Sequence, residues 1–167
     1  MYCVTVILFC LFFHLGSAEL AHREFYSPYV CDLVSHTDNN RLSSADLFND
    51  AGNYYNIDPD LLRAIAIVES QCGKRLDHKG TDVGIMAITH YWYDQPSEII
   101  GNKTNIYKAA QILNLYKQQL GSIEKAVRAY NVGPSHATQG NGYKYLSKVL
   151  IAQDKITRGE LTCRISK

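Results

Sequence analysis

Little charge is left over in this chain. With 17 Lys and Arg against 16 Asp and Glu, the formal net charge is +1. That removes the general electrostatic case for a nucleic acid or an anionic membrane as partner. Metal-binding spacing is also missing. There is no CxxC and no HExxH, and His22, His36, His78, His90 and His136 are scattered along the chain, so neither a structural metal nor a cofactor is expected. Internal repeats and low-complexity tracts are absent too. The only long apolar run, residues 4–15, is too short for a membrane span.

That run is followed by Gly16-Ser17-Ala18, and the whole block 1–18 carries no charged side chain. It reads as a cleaved secretory signal with the cut after Ala18, although no Lys or Arg precedes the apolar run. The expected product lies in the periplasm or outside the cell, with no stable membrane span after cleavage. About 150 residues then remain, enough for one domain with a real core. Residues 19–42 are polar and irregular, an N-terminal arm; 43–155 form the domain; 156–167 are a C-terminal tail. Cys3 and Cys10 leave with the signal, so Cys31, Cys72 and Cys163 remain. An oxidising compartment allows one disulfide among them and leaves one thiol, with three pairings open. Tyrosine is plentiful, 12 residues against 5 Phe and 1 Trp. Such rings suit a groove for polar polymers with apolar faces, and equally an ordinary half-buried core.

The domain reads as mainly helical, α+β at most: one compact helical domain with a groove. Ser43 or Ser44 opens a helix to about Tyr55, with Leu47, Ala51 and Tyr54 on one face. The next helix is the best specified. Asp58 is a good N-cap, Pro59 fits the first helical position, and Gly73 can turn left-handed past the end. At about 100° per residue, Leu61, Leu62, Ile65, Ala66 and Val68 share one side, while Asp60, Arg63, Ser70 and Gln71 fall on the other. Glu69 lands on the apolar side. A carboxylate is expensive to desolvate there, so it must reach a cleft, a partner or the solvent edge. In a cleft it would be a general acid, which apolar surroundings keep protonated.

A loop rich in charge and glycine, residues 74–84, follows, and Ile85-Met86-Ala87-Ile88 returns to the core. Pro96 breaks a short aromatic stretch. Asn105 is expected to cap a helix over 106–120, with Ile106, Ala109, Ala110, Leu113, Tyr116 and Leu120 as its stripe and Gly121 as its stop. Ser122 caps the next, with Ile123, Ala126, Val127 and Tyr130 inward, and Asn131-Val132-Gly133-Pro134 ends it. Residues 135–142 read as a glycine-rich loop. Residues 143–154 read as a last helix with Leu146, Val149 and Leu150 inward.

Three pieces now stand in order: Val68-Glu69-Ser70 closing a capped helix, Gly84-Ile85-Met86 after a polar loop, and Ala129-Tyr130-Asn131-Val132-Gly133 closing a later helix. This order resembles the lysozyme-like lytic transglycosylases, in particular the small exported type of conjugation, secretion and pilus systems. The resemblance covers about residues 45–150. It implies that Glu69 is the single catalytic acid and base, that Ser70 is the serine following it, and that Gly84 and Met86 line the groove floor. It also implies that Tyr130 and Asn131 close over the acid and contact the sugar. The implied substrate is peptidoglycan glycan strands, cleaved to 1,6-anhydromuramyl ends, and a further implied partner is a component of a secretion, conjugation or pilus apparatus.

Two positions depart from the family's pattern. Its Gln after Met is Ala87 here, which removes a groove amide, and a place often held by Ser is Asp82. A second carboxylate near the acid is what a hydrolase needs to activate water, so Asp82 leaves room for lysozyme-like hydrolysis with Glu69. Asp82 is otherwise a solvated loop residue or a partner of Lys79. A third reading, from the loss at Ala87, is a glycan-binding or assembly module with little turnover.

Overall fold

The computed structural model describes residues 44–76 and 82–163. The expected signal at 1–18, the arm at 19–42 with Cys31, and the loop residues 77–81 lie outside the described residues. Six α-helices carry those that are described, and the mainly helical reading holds. The chain pairs as β structure among them only at an isolated antiparallel bridge between Val83 and Ile88.

Helix α1, Ser44–Tyr55, leads through a tight turn into α2, Pro59–Ser70. Asp58 caps α2 as expected: its Oδ1 accepts the Asp60 N–H at 2.9 Å. Leu61, Leu62, Ala64, Ile65 and Ala66 are buried. On α1 the buried face is set by Phe48 and Ala51, whereas Tyr54, expected inward, is 56% exposed. Phe48, which has no hydroxyl to desolvate, takes the core position, and the Arg63 guanidinium lies 5.5 Å from its ring centroid. Tyr54 instead meets Tyr55 edge-on and Tyr107 at the surface.

Helix α3, Asn102–Leu120, begins four residues before the predicted start, with Gly101 at the cap position. Asn105 is therefore not a cap; it sits fully buried inside the first turn. The predicted stripe of Ile106, Ala109, Ala110, Leu113 and Tyr116 is buried, and Gly121 ends the helix in the left-handed region. Helix α4, Ile123–Val132, opens on Ser122, whose Oγ accepts the Lys125 N–H. Pro134, read as a helix stop, instead starts the short α5, Pro134–Thr138, because proline fits the first turn as well as it ends the previous one.

Helix α6, Tyr143–Thr157, buries Tyr145, Leu146, Val149 and Ala152. Leu150 is 46% exposed, against expectation, because Tyr145, Val149 and Ala152 at spacings of four and three define the inner face. Helix α2 is the centre, packed on α6, α1 and α3. Gln153 of α6 also donates to Asp58 Oδ2 at 2.8 Å.

The stretch read as a tail begins inside α6 and is tied down at Cys163. Leu161 packs on the core, and Cys163 forms a disulfide with Cys72, at a Cα–Cα distance of 5.4 Å and a sequence separation of 91. Of the three pairings the sequence allowed, the fold makes this one.

Candidate active site

Glu69 is the penultimate residue of α2 and is half-buried. Its helix stops one residue later because the backbone turns left-handed three times in succession, at Gln71, Cys72 and Gly73. Only the third is glycine; the first two are held by backbone bonds to Ala66 and Ile67 and by the disulfide at Cys72. The end of α2 is thus fixed by the C-terminal strap as much as by its own sequence.

The hydroxyl of Tyr145, in the first turn of α6, donates to Glu69 Oε1 at 2.5 Å. Burial pushes the Tyr145 hydroxyl well above its ordinary pKa, and the Glu69 charge adds to the shift, so the tyrosine stays a donor across the neutral range. No motif in the sequence marked Tyr145. The available signal was a hydroxyl on an apolar stripe, four residues before Val149, just as Glu69 is a carboxyl four residues after Ile65.

Ser70 does not lie where the helical wheel put it. It is fully buried, and its Oγ donates to Ile85 O at 2.7 Å, has Ala66 O at 3.1 Å, and accepts the Gly73 N–H at 2.8 Å. A polar residue was placed outward, but the loop after α2 crosses this last turn and its carbonyl needs a donor. Ser70 therefore staples that loop to the acid-bearing helix and has no path to a bound sugar.

The loop, residues 83–88, is closed by two hydrogen bonds of 2.9 Å between Val83 and Ile88. Its centre is filled by the Asn105 amide. Oδ1 accepts the Met86 N–H at 2.7 Å, and Nδ2 donates to Val83 O and Ile99 O, both at 2.9 Å. Gly84 is required here twice over. Its φ is +77°, and a Cβ would fall 2.3 Å from Asn105 Nδ2. Met86 is fully buried, so its side chain belongs to the core and not to a groove floor; its carbonyl accepts the Tyr130 hydroxyl at 2.8 Å. Ala87, where the family pattern has Gln, is held at φ 48°, a strained region for a residue with a Cβ.

Tyr130 joins the groups around the acid. Its hydroxyl is raised well above the usual tyrosine range, first by burial and then by the charges of Glu69, Tyr116 and Asp82. Glu69 and Asp82 therefore both stand within electrostatic reach of one hydroxyl. Asp82 is half-buried, and its charge also acts, after desolvation, to raise Tyr93. Asn131 is exposed and lines an open cleft of about 620 Å³, together with Tyr145. The structure so gathers Glu69, Tyr130, Tyr145 and Asp82, sets Asn131 on the cleft that Tyr145 also lines, buries the Ser70 and Met86 side chains, and leaves Gly84 half-buried against Asn105. No three His, Cys, Asp or Glu among the described residues converge to hold a cation. No helix among them is long and apolar enough to cross a membrane.

A helical domain with Glu69 at the end of its central helix, hydrogen-bonded by Tyr145 of α6 and within electrostatic reach of Tyr130 of α4, is of the lysozyme-like class. The chain belongs to the transglycosylase SLT domain family, whose model matches residues 46–149. Among its relatives, Protein IpgF of Shigella flexneri is 32% identical over 120 residues, covering 65% of this chain and 79% of that protein, and Protein IpgF of Shigella sonnei matches equally. A peptidoglycan-binding-like protein of Escherichia coli O157:H7 is 26% identical over 133 residues, covering 68% of this chain and 80% of that one. No solved structure matches.

Proposed function

We propose that this protein is an exported peptidoglycan lytic transglycosylase, with Glu69 as its only proton-transferring group. It cleaves the β-1,4 bond between N-acetylmuramic acid and N-acetylglucosamine. The observation that supports this reading is the Tyr145 hydrogen bond to Glu69 Oε1, which ties the carboxyl of the family's motif to a side chain that lines an open cleft. In its acid form Glu69 donates to the glycosidic oxygen, and the C1–O bond breaks as oxocarbenium character develops. The substrate's own N-acetyl group supports that cation. The C6 hydroxyl then attacks C1 while Glu69, now a carboxylate, takes its proton. One carboxyl suffices, because no water has to be activated.

Tyr130 and Asn131 are assigned to the sugar side of the site and Tyr145 to orienting the acid. Residues 1–18 serve as the export signal, and the wall is opened for a secretion, conjugation or pilus machine. A second reading is favoured by one observation: the Asp82 charge reaches Tyr130, as that of Glu69 does. In it Asp82 activates water and the enzyme is a hydrolase.

Digestion of purified cell wall by the wild-type chain and by Glu69→Gln tests the proposal. New anhydromuramyl ends in the first digest, and a loss of on the order of 10²–10⁴-fold in the second, are expected. Reducing ends in place of anhydro ends favour the hydrolase. No new ends from the wild type overturn both in favour of a binding module.

A further inference from the structure

The cleft that Tyr145 lines has a one-sided chemistry. Its lining includes His136, Lys144, Asn131, Asn141 and the backbone of Gly142, and none of its residues is acidic. Behind its wall lies a cation that the proposed reaction does not use. Arg128 of α4 is only 6% exposed, and its guanidinium carbon sits 4.3 Å from the centroid of the Tyr143 ring that lines the cleft. One amino group donates to the Ala137 carbonyl, while Nε is buried with no hydrogen-bond partner among the described residues. No carboxylate among those residues pairs with it. A buried charge left in this state is unfavourable unless a counter-charge comes close.

The first turn of α6 rests directly on this arginine. Gly142 takes φ +88°, and a Cβ there would lie 2.9 Å from Arg128 Cβ. Gly142 stands at the N-cap with no side-chain cap, so the positive end of a 15-residue helix adds to the same side of the cleft. Tyr145 closes the arrangement. It lines the cleft and also donates to Glu69, so one side chain connects the cleft to the acid.

We propose that this cleft is a carboxylate-recognition subsite, in which Lys144 and His136 contact the anion and Arg128 with the start of α6 supplies the field behind them. Given the glycan-strand reading above, on which only the identity of the sugar rests, the carboxylate is one carried on the lactyl arm of muramic acid. Two sources share that chemistry: the free lactyl group of a strand stripped of its peptide, and the acidic stem peptide of an intact strand. Binding one of them places the neighbouring glycosidic bond in register with Glu69.

Titration of the wild-type chain, disulfide intact, tests this with three ligands that contain no glycosidic bond: N-acetylmuramic acid, its lactyl amide, and N-acetylmuramoyl-L-alanyl-D-glutamate. Binding is read by calorimetry and by amide shifts in residues 136–145. At least one acid should bind about tenfold more tightly than the amide, as a charge-assisted contact implies. The exposed substitutions Lys144→Ala and His136→Ala should together bring it down to the level of the amide. Binding of N-acetylmuramic acid alone identifies the free lactyl carboxylate as the source, binding of the dipeptide alone identifies the stem, and binding of both shows that the subsite accepts either carboxylate. Equal affinity for acid and amide, no binding of any ligand, or an unchanged affinity in the double variant overturns the proposal. Wall digestion stays a separate readout: cleavage without carboxylate discrimination sinks the subsite alone, and carboxylate binding without cleavage sinks the transglycosylase reading alone.

Discussion

Tyr145 Oη and Glu69 Oε1 stand 2.5 Å apart across 76 residues of sequence, so the orientation of the acid at the end of α2 is set from the first turn of α6. Tyr145→Phe keeps the ring and its packing and deletes the donor. Because small displacements of a reacting group are costly, kcat on glycan strands should fall about tenfold to a hundredfold with a much smaller change in KM. An unchanged kcat in steady-state assays with a folded variant would remove Tyr145 from any positioning role.

Asp82 separates the two enzyme readings. If an internal hydroxyl attacks, Asp82→Asn should leave the yield of anhydro ends mostly intact, since Glu69 performs both proton transfers. Were Asp82 the base for water, the same change should cost on the order of 10²–10⁴-fold, and chromatography of the wild-type digest should show reducing ends.

The plug at Asn105 is expected to matter for folding before it matters for turnover. Asn105→Ala removes the side-chain partner of the Met86 N–H and of the Ile99 carbonyl, and leaves the Val83 carbonyl with the Ile88 N–H alone. A loss of about 2–4 kcal/mol is expected in urea unfolding, well above the effect of a surface substitution. Asn105→Asp, which keeps the acceptor and loses the donors, should fall between.

What could be read from the sequence followed the local rules. Asp58, Pro59, Ser122 and Gly121 mark their helix ends because capping chemistry is local, and Glu69 stood out because a carboxyl interrupts an apolar stripe. What could not be read depended on partners far along the chain. Asn105 before an apolar residue looks the same as a cap, and only the loop at 83–88 reveals it as a plug. Ser70 was assigned by its polarity, whereas the carbonyl of Ile85 decides its side. Tyr145 has the pattern of any core tyrosine until Glu69 is placed beside it, and three cysteines do not name their pair.

Alkaline stability should report the buried tyrosines. Tyr55 and Tyr116 are pushed from 10.0 to about 12, chiefly by burial, and Tyr130 and Tyr145 also lie well above their ordinary value. Below pH 10 these groups are neutral in both folded and unfolded chains, and their contribution is complete. Above it the unfolded chain ionises first, so stability should decline between pH 10 and about 12. Urea midpoints measured across that range check the sign, and a flat profile would contradict the burial of these hydroxyls.

Reducing the disulfide, or replacing Cys163 by Ser, frees a loop whose ends are 91 residues apart. The chain-entropy argument puts the loss at about 4–5 kcal/mol. Comparing melting under oxidising and reducing conditions measures it.

Both ties to the end of α2, the Tyr145 hydroxyl and the Cys163 sulfur, come from the last helix and the strap beyond it. Biosynthesis runs the other way, from Glu69 toward those residues. A nascent or truncated chain ending before residue 143 holds Glu69, Tyr130 and Asn131 but lacks the Tyr145 hydroxyl and the Cys163 sulfur. The arrangement around Glu69 is therefore completed last, only once the whole polypeptide has been made and folded.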